Sequence, residues 1–324
     1  MKIQIFAILI LLSFSLGCVS TENVLAEAPS ENIVKPNASE YIQVDEDTED
    51  IPIDETKEEH PNTSPSSNET IRVGAFNVQV FGTTKASKPE VMAVLANIIR
   101  TYDIIAIQEI RDSSQTALPK LLDQVNSDGS QYQYVVSERL GRTSSKEQYA
   151  YVYNSNTLQL TGDPHTYPEP EGTDPFHRQP YIATFKAVDG NYDAVFIVIH
   201  TDPDEATEEI NALADVLNYT QILYPDEGDF ILMGDLNADG SYFKKGSTST
   251  LDGYYWLIDN SLDTTTKSTN YTYDRIILTD SSDLYGQYGV HRFDLEYNLT
   301  EEQTVAVSDH YPVFAEFLVN EDKD

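Results

Sequence analysis

Polar side chains recur at the ends of runs that are otherwise apolar. Asn77 interrupts VGAFNV, Glu109 follows IIAIQ, Glu147 precedes YAYVY and His200 ends VFIVI. Asp235 and Asn237 end FILMG, Asp274 opens RIIL, and Asp309 and His310 open the last run, YPVFAEFLV. Burying any one of these without a partner costs about 1–3 kcal/mol. Singly, each has an ordinary explanation: a bend at Asn77, a surface pair of Glu109 with Arg111, an Asx turn at Asp235 and Asn237. Together they fit one shared polar site better than separate accidents.

The chemistry available to such a set is phosphodiester hydrolysis. That reaction needs a cation to neutralise phosphoryl oxygens, a base for water and an acid or metal for the departing oxygen. Carboxylates and amides (Glu109, Asp235, Asn237, Asn77) suit Mg²⁺ or Mn²⁺, which prefer oxygen. Two histidines, each with a carboxylate to fix its tautomer, suit acid and base work near neutral pH. No G-x-S-x-G, Walker loop or H-E-x-x-H is present.

Strands and helices must position these groups. In AVFIVIH, Val195, Ile197 and Ile199 back onto Phe196 and Val198, the pattern of a strand covered on both faces. Tyr311, Val313, Ala315 and Phe317 alternate as one buried face. Between the runs, Val91, Val94, Leu95, Ile98 and Ile99 form a helical stripe opened by Pro89 and a Ser87–Glu90 capping box. Leu118, Leu121, Leu122 and Val125 form a second stripe, and Ile210, Leu213, Leu217 and Thr220 a third. Several strands follow one another directly, so the expected fold is α/β (α+β), two β-sheets face to face with helices outside.

The 324-residue chain carries 54 acidic against 20 basic residues, a net charge of -34. That balance argues against nonspecific adhesion to nucleic acid or anionic lipid, but not against an enzyme reaching phosphate through cations. Residues 1–17 read as a signal peptide, with Lys2 before the apolar run Ile3–Leu12. Cys18, the only cysteine, follows Leu16-Gly17 and is the expected lipidation site, the sole route to a membrane. Residues 18–70 read as an acidic disordered tether, 71–319 as one catalytic domain and 320–324 as an acidic tail.

The blocks AFNVQVFG, YDIIAIQEIRDS, YVVSERLGRTSSKEQYAYVY, IHTDPDEATEEI, LMGDLNADGSY and SDHYPV, in order, resemble the deoxyribonuclease I branch of the endonuclease/exonuclease/phosphatase superfamily. The resemblance implies an αββα nuclease that nicks double-stranded DNA to leave 5′-phosphate ends and acts as a monomer. It implies that Glu147 partners His200 and Asp274 partners His310. It assigns divalent metal and phosphate to Glu109 with Asp309, Asn77, Asp235 and Asn237. Arg111, Arg178 and Tyr273 would contact DNA, and Asp263, Thr265 and Thr269 would hold a structural Ca²⁺, with Lys267 in place of one Thr. The family's other calcium loop keeps Asp174 alone, its larger disulfide falls at Gly240 and Tyr271, and Ser145 and Gln79 replace groove-contacting residues. Two alternatives remain: a phosphoesterase acting on a phospholipid or phosphorylated small molecule, and a non-catalytic surface binding module.

Overall fold

The strand-forming runs pair into two sheets in the computed structural model, which describes residues 69–243 and 248–323. The expected signal peptide, Cys18 and nearly all of the tether lie outside those residues. Strands are numbered along the chain. The first sheet has the order β12 (Leu284–Val290), β13 (Val313–Leu318), β1 (Thr70–Phe81), β2 (Ile104–Ile110), β4 (Gln148–Asn154), β3 (Tyr132–Val136). The second runs β10 (Tyr255–Trp256), β11 (Asp274–Leu278), β9 (Phe230–Asp235), β8 (Asp193–His200), β7 (Tyr181–Ala187), β5 (Leu158–Leu160), with β6 (His165–Thr166) also on β7.

Alternation along each strand divides the core into layers, because successive side chains point to opposite faces. Val73, Ala75, Ile104, Ala106 and Tyr151 meet Phe185, Phe196, Val198, Met233 and Ile276 between the sheets. Phe76, Val78, Ile105 and Ile107 point the other way, beneath α2 (Pro89–Ile99) and α3 (Ala117–Val125). Val195, Ile197, Ile199 and Leu232 lie beneath α4 (Ala206–Leu223). The architecture is therefore the four-layer αββα sandwich with mixed sheets.

Two local expectations change. Lys88, not Ser87, caps α2, and no side-chain capping bond forms. The Ser87 hydroxyl donates instead to Thr84 O at 2.7 Å, closing the short helix α1 (Thr83–Ala86) that precedes it. The capping box lies elsewhere, at Thr300 and Gln303 opening the helix Glu301–Val307, so the residues before Asp309 are helical.

Strand direction explains why the polar residues sat where they did. β1 pairs parallel with β2, and β8 parallel with β9, so these four deliver their final residues to one edge. β13, β4 and β11 run antiparallel to β1, β2 and β9, so they deliver their first residues to that same edge. In the second sheet His200, Asp235 and Asp274 are direct neighbours across three strands. β1 lies against β9 and β11 across the interface, which sets the two groups of strand ends face to face.

Close approach of β9 to β8 depends on Gly234. Its φ is +136°, and a Cβ there would stand 2.0 Å from Ile199 O. Because an L side chain meets both a disfavoured backbone and a rigid carbonyl, Gly234→Ala should destabilise the domain by about 3 kcal/mol or more. A urea midpoint matching wild type would contradict this account of the β8–β9 contact.

Candidate active site

The shared edge brings both histidines onto one carboxylate. His200 Nδ1 lies 3.0 Å from Glu147 Oε1, and His310 Nδ1 lies 2.8 Å from Asp274 Oδ2. Their other ring nitrogens converge on Asp235 Oδ2, at 3.5 Å from His200 Nε2 and 3.6 Å from His310 Nε2. Asn77 donates its side-chain amide to the same oxygen at 2.9 Å and to Glu109 Oε1 at 3.3 Å. The backbone N–H of Asn237 donates to Asp235 Oδ1 at 3.0 Å, so the Asx turn exists as part of the site. Asn237 is held in turn by Thr201 O, 3.1 Å from its Nδ2.

Unusual backbone aims several of these groups. Six described non-glycine residues have positive φ, and four of them, Gln79, Val80, Glu109 and Asn237, border the cleft. The β1 register breaks after Asn77, and the Val80 N–H turns to donate to Glu109 Oε2 at 2.8 Å. Such conformations cost about 1–3 kcal/mol each and persist where surroundings over-determine them. Asp112 fixes the exit of β2 by accepting from the backbone N–H groups of Thr116 and Ala117, at 2.7 and 2.8 Å.

The cleft has a volume of about 420 Å³ and is lined by Asn77, Glu109, Asp235, Asn237, Asp309 and His310, among others. Arg111 folds over its rim, with Nη2 3.2 Å from Glu109 Oε2 and Nε 3.8 Å from Glu147 Oε2. Arg178 is only 6% exposed, and two of its nitrogens donate to His200 O and Thr201 O at 3.0 and 2.9 Å. It braces the His200 strand end and pairs with Glu147, its Nε 2.5 Å from Glu147 Oε1, and it does not line the cleft itself. Tyr273 lines the cleft with its ring 6.2 Å from that of His310. The oxygen donors fit a hard divalent cation. Glu109 and Asp309 side chains are 12% and 20% exposed, open to the cleft. Ligand atoms of Asp235, Asp274 and His310 also lie within 4.8 Å of one another.

The expected calcium loop sits beside this centre. Thr265 Oγ1 lies 2.7 Å from both Asp263 Oδ1 and Thr269 O. Thr266 N–H donates to Asp309 O at 2.9 Å, stapling the loop to the His310 segment. The Lys267 ammonium lies 2.8 Å from Asp309 Oδ2. At the other loop, Asp174 is paired with Arg142 at 2.9 Å. Where the family disulfide would lie, the Tyr271 ring comes within 3.1 Å of the Cβ position of Gly240.

Sequence reasoning passed over several supports. The Tyr149 hydroxyl accepts from the His200 N–H at 3.0 Å and lies 3.3 Å from His200 O, yet in QYAYVY it reads as core. Ser308 Oγ donates to Asn77 O at 2.6 Å and accepts from the His310 N–H at 3.1 Å, joining first strand to last. Glu209, fully buried in α4, accepts from the His177 N–H at 2.9 Å, and burial pushes its carboxyl up to about 7. A lone Glu on an otherwise apolar helix face was the available signal.

Mutual attraction sets the protonation of the centre. Burial opposes the charged form of His310, but Asp274 and Asp235 outweigh it and push the imidazole up to about 10. His200 is likewise raised, burial being overcome by Glu147 and then Asp235. Asp235 is lowered: burial works against its charge, and the two histidines more than compensate. A histidine raised on folding stabilises fully below its unfolded value of roughly 6.5, and that contribution fades as pH climbs through the folded value. In EDTA, therefore, the melting temperature should fall between pH 6.5 and about 10. The decline should be shallower in His310→Gln, and identical slopes would contradict the pairing with Asp274.

A sequence profile of the endonuclease/exonuclease/phosphatase family matches residues 74–310. The chain is 40% identical over 257 residues to deoxyribonuclease-1 of Ovis aries, covering 75% of this chain and 98% of that protein. It is 39% identical over 258 residues to deoxyribonuclease-1 of Bos taurus, covering 75% and 91%. Deoxyribonuclease gamma of Mus musculus is 36% identical over 258 residues, covering 75% and 83%. Among solved structures, the human Nocturnin catalytic domain superposes with a TM-score of 0.53 at 16% identity, covering 76% of this chain and 94% of that one. A mannosyl-6-phosphatase of Bacteroides thetaiotaomicron superposes with a TM-score of 0.51 at 16% identity, covering 76% and 98%. These two likenesses concern the fold, whereas the sequence relatives reach further: the chain belongs to the endonuclease/exonuclease/phosphatase family and is a hydrolase, a phosphodiesterase of the deoxyribonuclease I type.

Proposed function

We propose that the protein is an exported, divalent-metal-dependent endonuclease that hydrolyses phosphodiester bonds of DNA and leaves 5′-phosphate ends. The observation that carries this reading is the convergence of two carboxylate-paired imidazoles on Asp235 Oδ2, at 3.5 and 3.6 Å. Deoxyribonuclease-1 relatives at about 40% identity supply the substrate class.

The imidazole that serves as base acts in its neutral form and takes a proton from the attacking water at its Nε2. The water oxygen bonds to phosphorus, the P–O3′ bond breaks, and the other imidazole gives its Nε2 proton to the departing O3′. Glu147 and Asp274 hold the two Nδ1 atoms, so each ring presents its other nitrogen to the substrate. Asp235 keeps both rings oriented, and the Asn77 and Asn237 side chains would help hold metal and phosphate. Glu109 and Asp309, with Asn77, Asp235 and Asn237, would hold Mg²⁺ or Mn²⁺, which supplies charge neutralisation and polarises the phosphoryl group. Arg111 and Tyr273 line the approach of the strand, and Arg178 would act on the phosphate from behind His200. Asp263, Thr265 and Thr269 are the candidate ligands for a structural Ca²⁺.

Purified protein should relax supercoiled plasmid in Mg²⁺ or Mn²⁺ and not in EDTA. His200→Ala and His310→Ala should each slow nicking by about 100-fold or more while the fold persists, the usual size of a lost acid or base. Nicking at the wild-type rate by both variants would sink the mechanism.

Cys18 would carry the lipid, and the acidic stretch up to residue 70 would tether the domain to the surface. Cys18→Ser should then move the protein from the membrane fraction to the medium and abolish labelling by radioactive palmitate. A wild-type protein already wholly in the medium would refute the anchor.

A further inference from the structure

At the end of the sandwich away from the cleft, three more carboxylates come together. Asp229 immediately precedes β9, whose last residue is Asp235, so the strand separates the two places by roughly 20 Å. Asp283 immediately precedes β12 in the other sheet, and Asp322 follows β13 in the C-terminal segment. One carboxylate oxygen from each lies within 4.8 Å of the other two. Asp229 and Asp283 are buried, at 8% and 2% exposure.

The surroundings are built rather than casual. Asp322 Oδ2 accepts from the Asp193 N–H at 3.0 Å, its backbone carbonyl accepts from Asn191 Nδ2 at 2.8 Å, and Leu318 N–H donates to Asp283 O at 2.8 Å. Two buried oxygens face the group without a hydrogen-bond partner: Asp283 Oδ2 and the hydroxyl of the fully buried Tyr192. Tyr192 feels Asp229, Glu227, Asp283 and Asp322 as its electrostatic neighbours, so its hydroxyl end is turned towards them. After burial, the strongest influences on Asp229 are Asp283, Glu227 and Asp322, all acidic, and together they push it up to about 9. Buried like charges of this kind call for a proton or a metal between them.

We propose that Asp229, Asp283 and Asp322 form a calcium site that ties the C-terminal segment to both sheets. Ca²⁺ binds oxygen at about 2.3–2.6 Å, so two ligands of one ion stand at most about 5 Å apart, a span the three carboxylates match. Mg²⁺, at about 2.0–2.1 Å with strict octahedral geometry, fits such a spread less well. The Tyr192 hydroxyl and the unpartnered Asp283 Oδ2 are the buried oxygens available to such an all-oxygen shell. This site is independent of the chemistry in the cleft.

The test compares the full chain with Asp283→Asn by equilibrium dialysis against calcium alone and by thermal unfolding. Wild type should bind one more calcium per chain than the variant. Its melting temperature should rise by roughly 5–10 °C at calcium a hundredfold above its Kd, relative to EDTA. The wild-type rise should clearly exceed that of Asp283→Asn, which keeps only what the Asp263 loop contributes, while plasmid nicking in Mg²⁺ stays within about twofold of wild type. Equal calcium stoichiometry and an equal thermal rise in the two proteins would overturn the proposal and leave a proton-sharing acid pair. The same difference in thermal rise between wild type and Asp283→Asn with magnesium in place of calcium would overturn the choice of ion. Should Asp283→Asn fail to fold, Asp322→Asn, in the terminal segment, serves in the same comparison with the same two outcomes.

Discussion

A single buried carboxylate, Asp235, organises the cleft. At 2% exposure it would be intolerable alone, since removing a lone ion from water has an effective penalty of several kcal/mol. It is tolerated because two imidazoles, the Asn77 amide and the Asn237 N–H all address it. The same attraction holds the imidazoles charged in the absence of metal and draws the outer carboxylates, Glu147 and Asp274, against their far sides. Strand register delivers the arrangement: His200, Asp235 and Asp274 occupy matched positions on three adjacent strands. A one-residue slip would turn all three side chains to the opposite face.

The surrounding layers allow this edge to be irregular. Val80 at φ 51° is a β-branched residue in a region such residues avoid, and Glu109 at φ 60° is little better placed. Both lie just beyond fully buried strand segments whose partners are fixed on both faces. The regular part of each sheet holds the ends in conformations they would not choose. A consequence is division of labour along each strand, apolar residues securing position and the terminal residue facing the cleft.

That division is also why much of the molecule was legible. An Asp or His at the end of an apolar run stands out in a single sequence, and period-two alternation identified the layers around Val195–Ile199 and Val313–Phe317. The convergence of strand ends required strand direction, which no local pattern encodes, and the pairing of particular carboxylates with particular histidines came from family resemblance. Supports that look like ordinary core or turn residues were invisible: Tyr149 reads as one more strand aromatic, and Ser308 as part of a turn. Lys267 was noticed only as a departure, because its contact with Asp309 joins residues 42 positions apart. The Ser87 cap failed because its hydroxyl had a nearer carbonyl at Thr84.

The tyrosine lying over Gly240 has a consequence for where this domain can be made. Tyr271 stacks on Tyr273 at 5.3 Å, Tyr273 meets Tyr242 at 5.6 Å, and Thr272 N–H donates to Asp239 Oδ2 at 3.0 Å. Aromatic pairs of this kind add about 0.5–1.5 kcal/mol each beyond their buried area, so a few approach the roughly 2–4 kcal/mol typical of a cross-link. Because the sole cysteine is Cys18, the fold owes nothing to oxidation. The catalytic unit can mature in a reducing compartment without an isomerase, and thiol reagents that disable cystine-bridged enzymes have nothing in it to cleave.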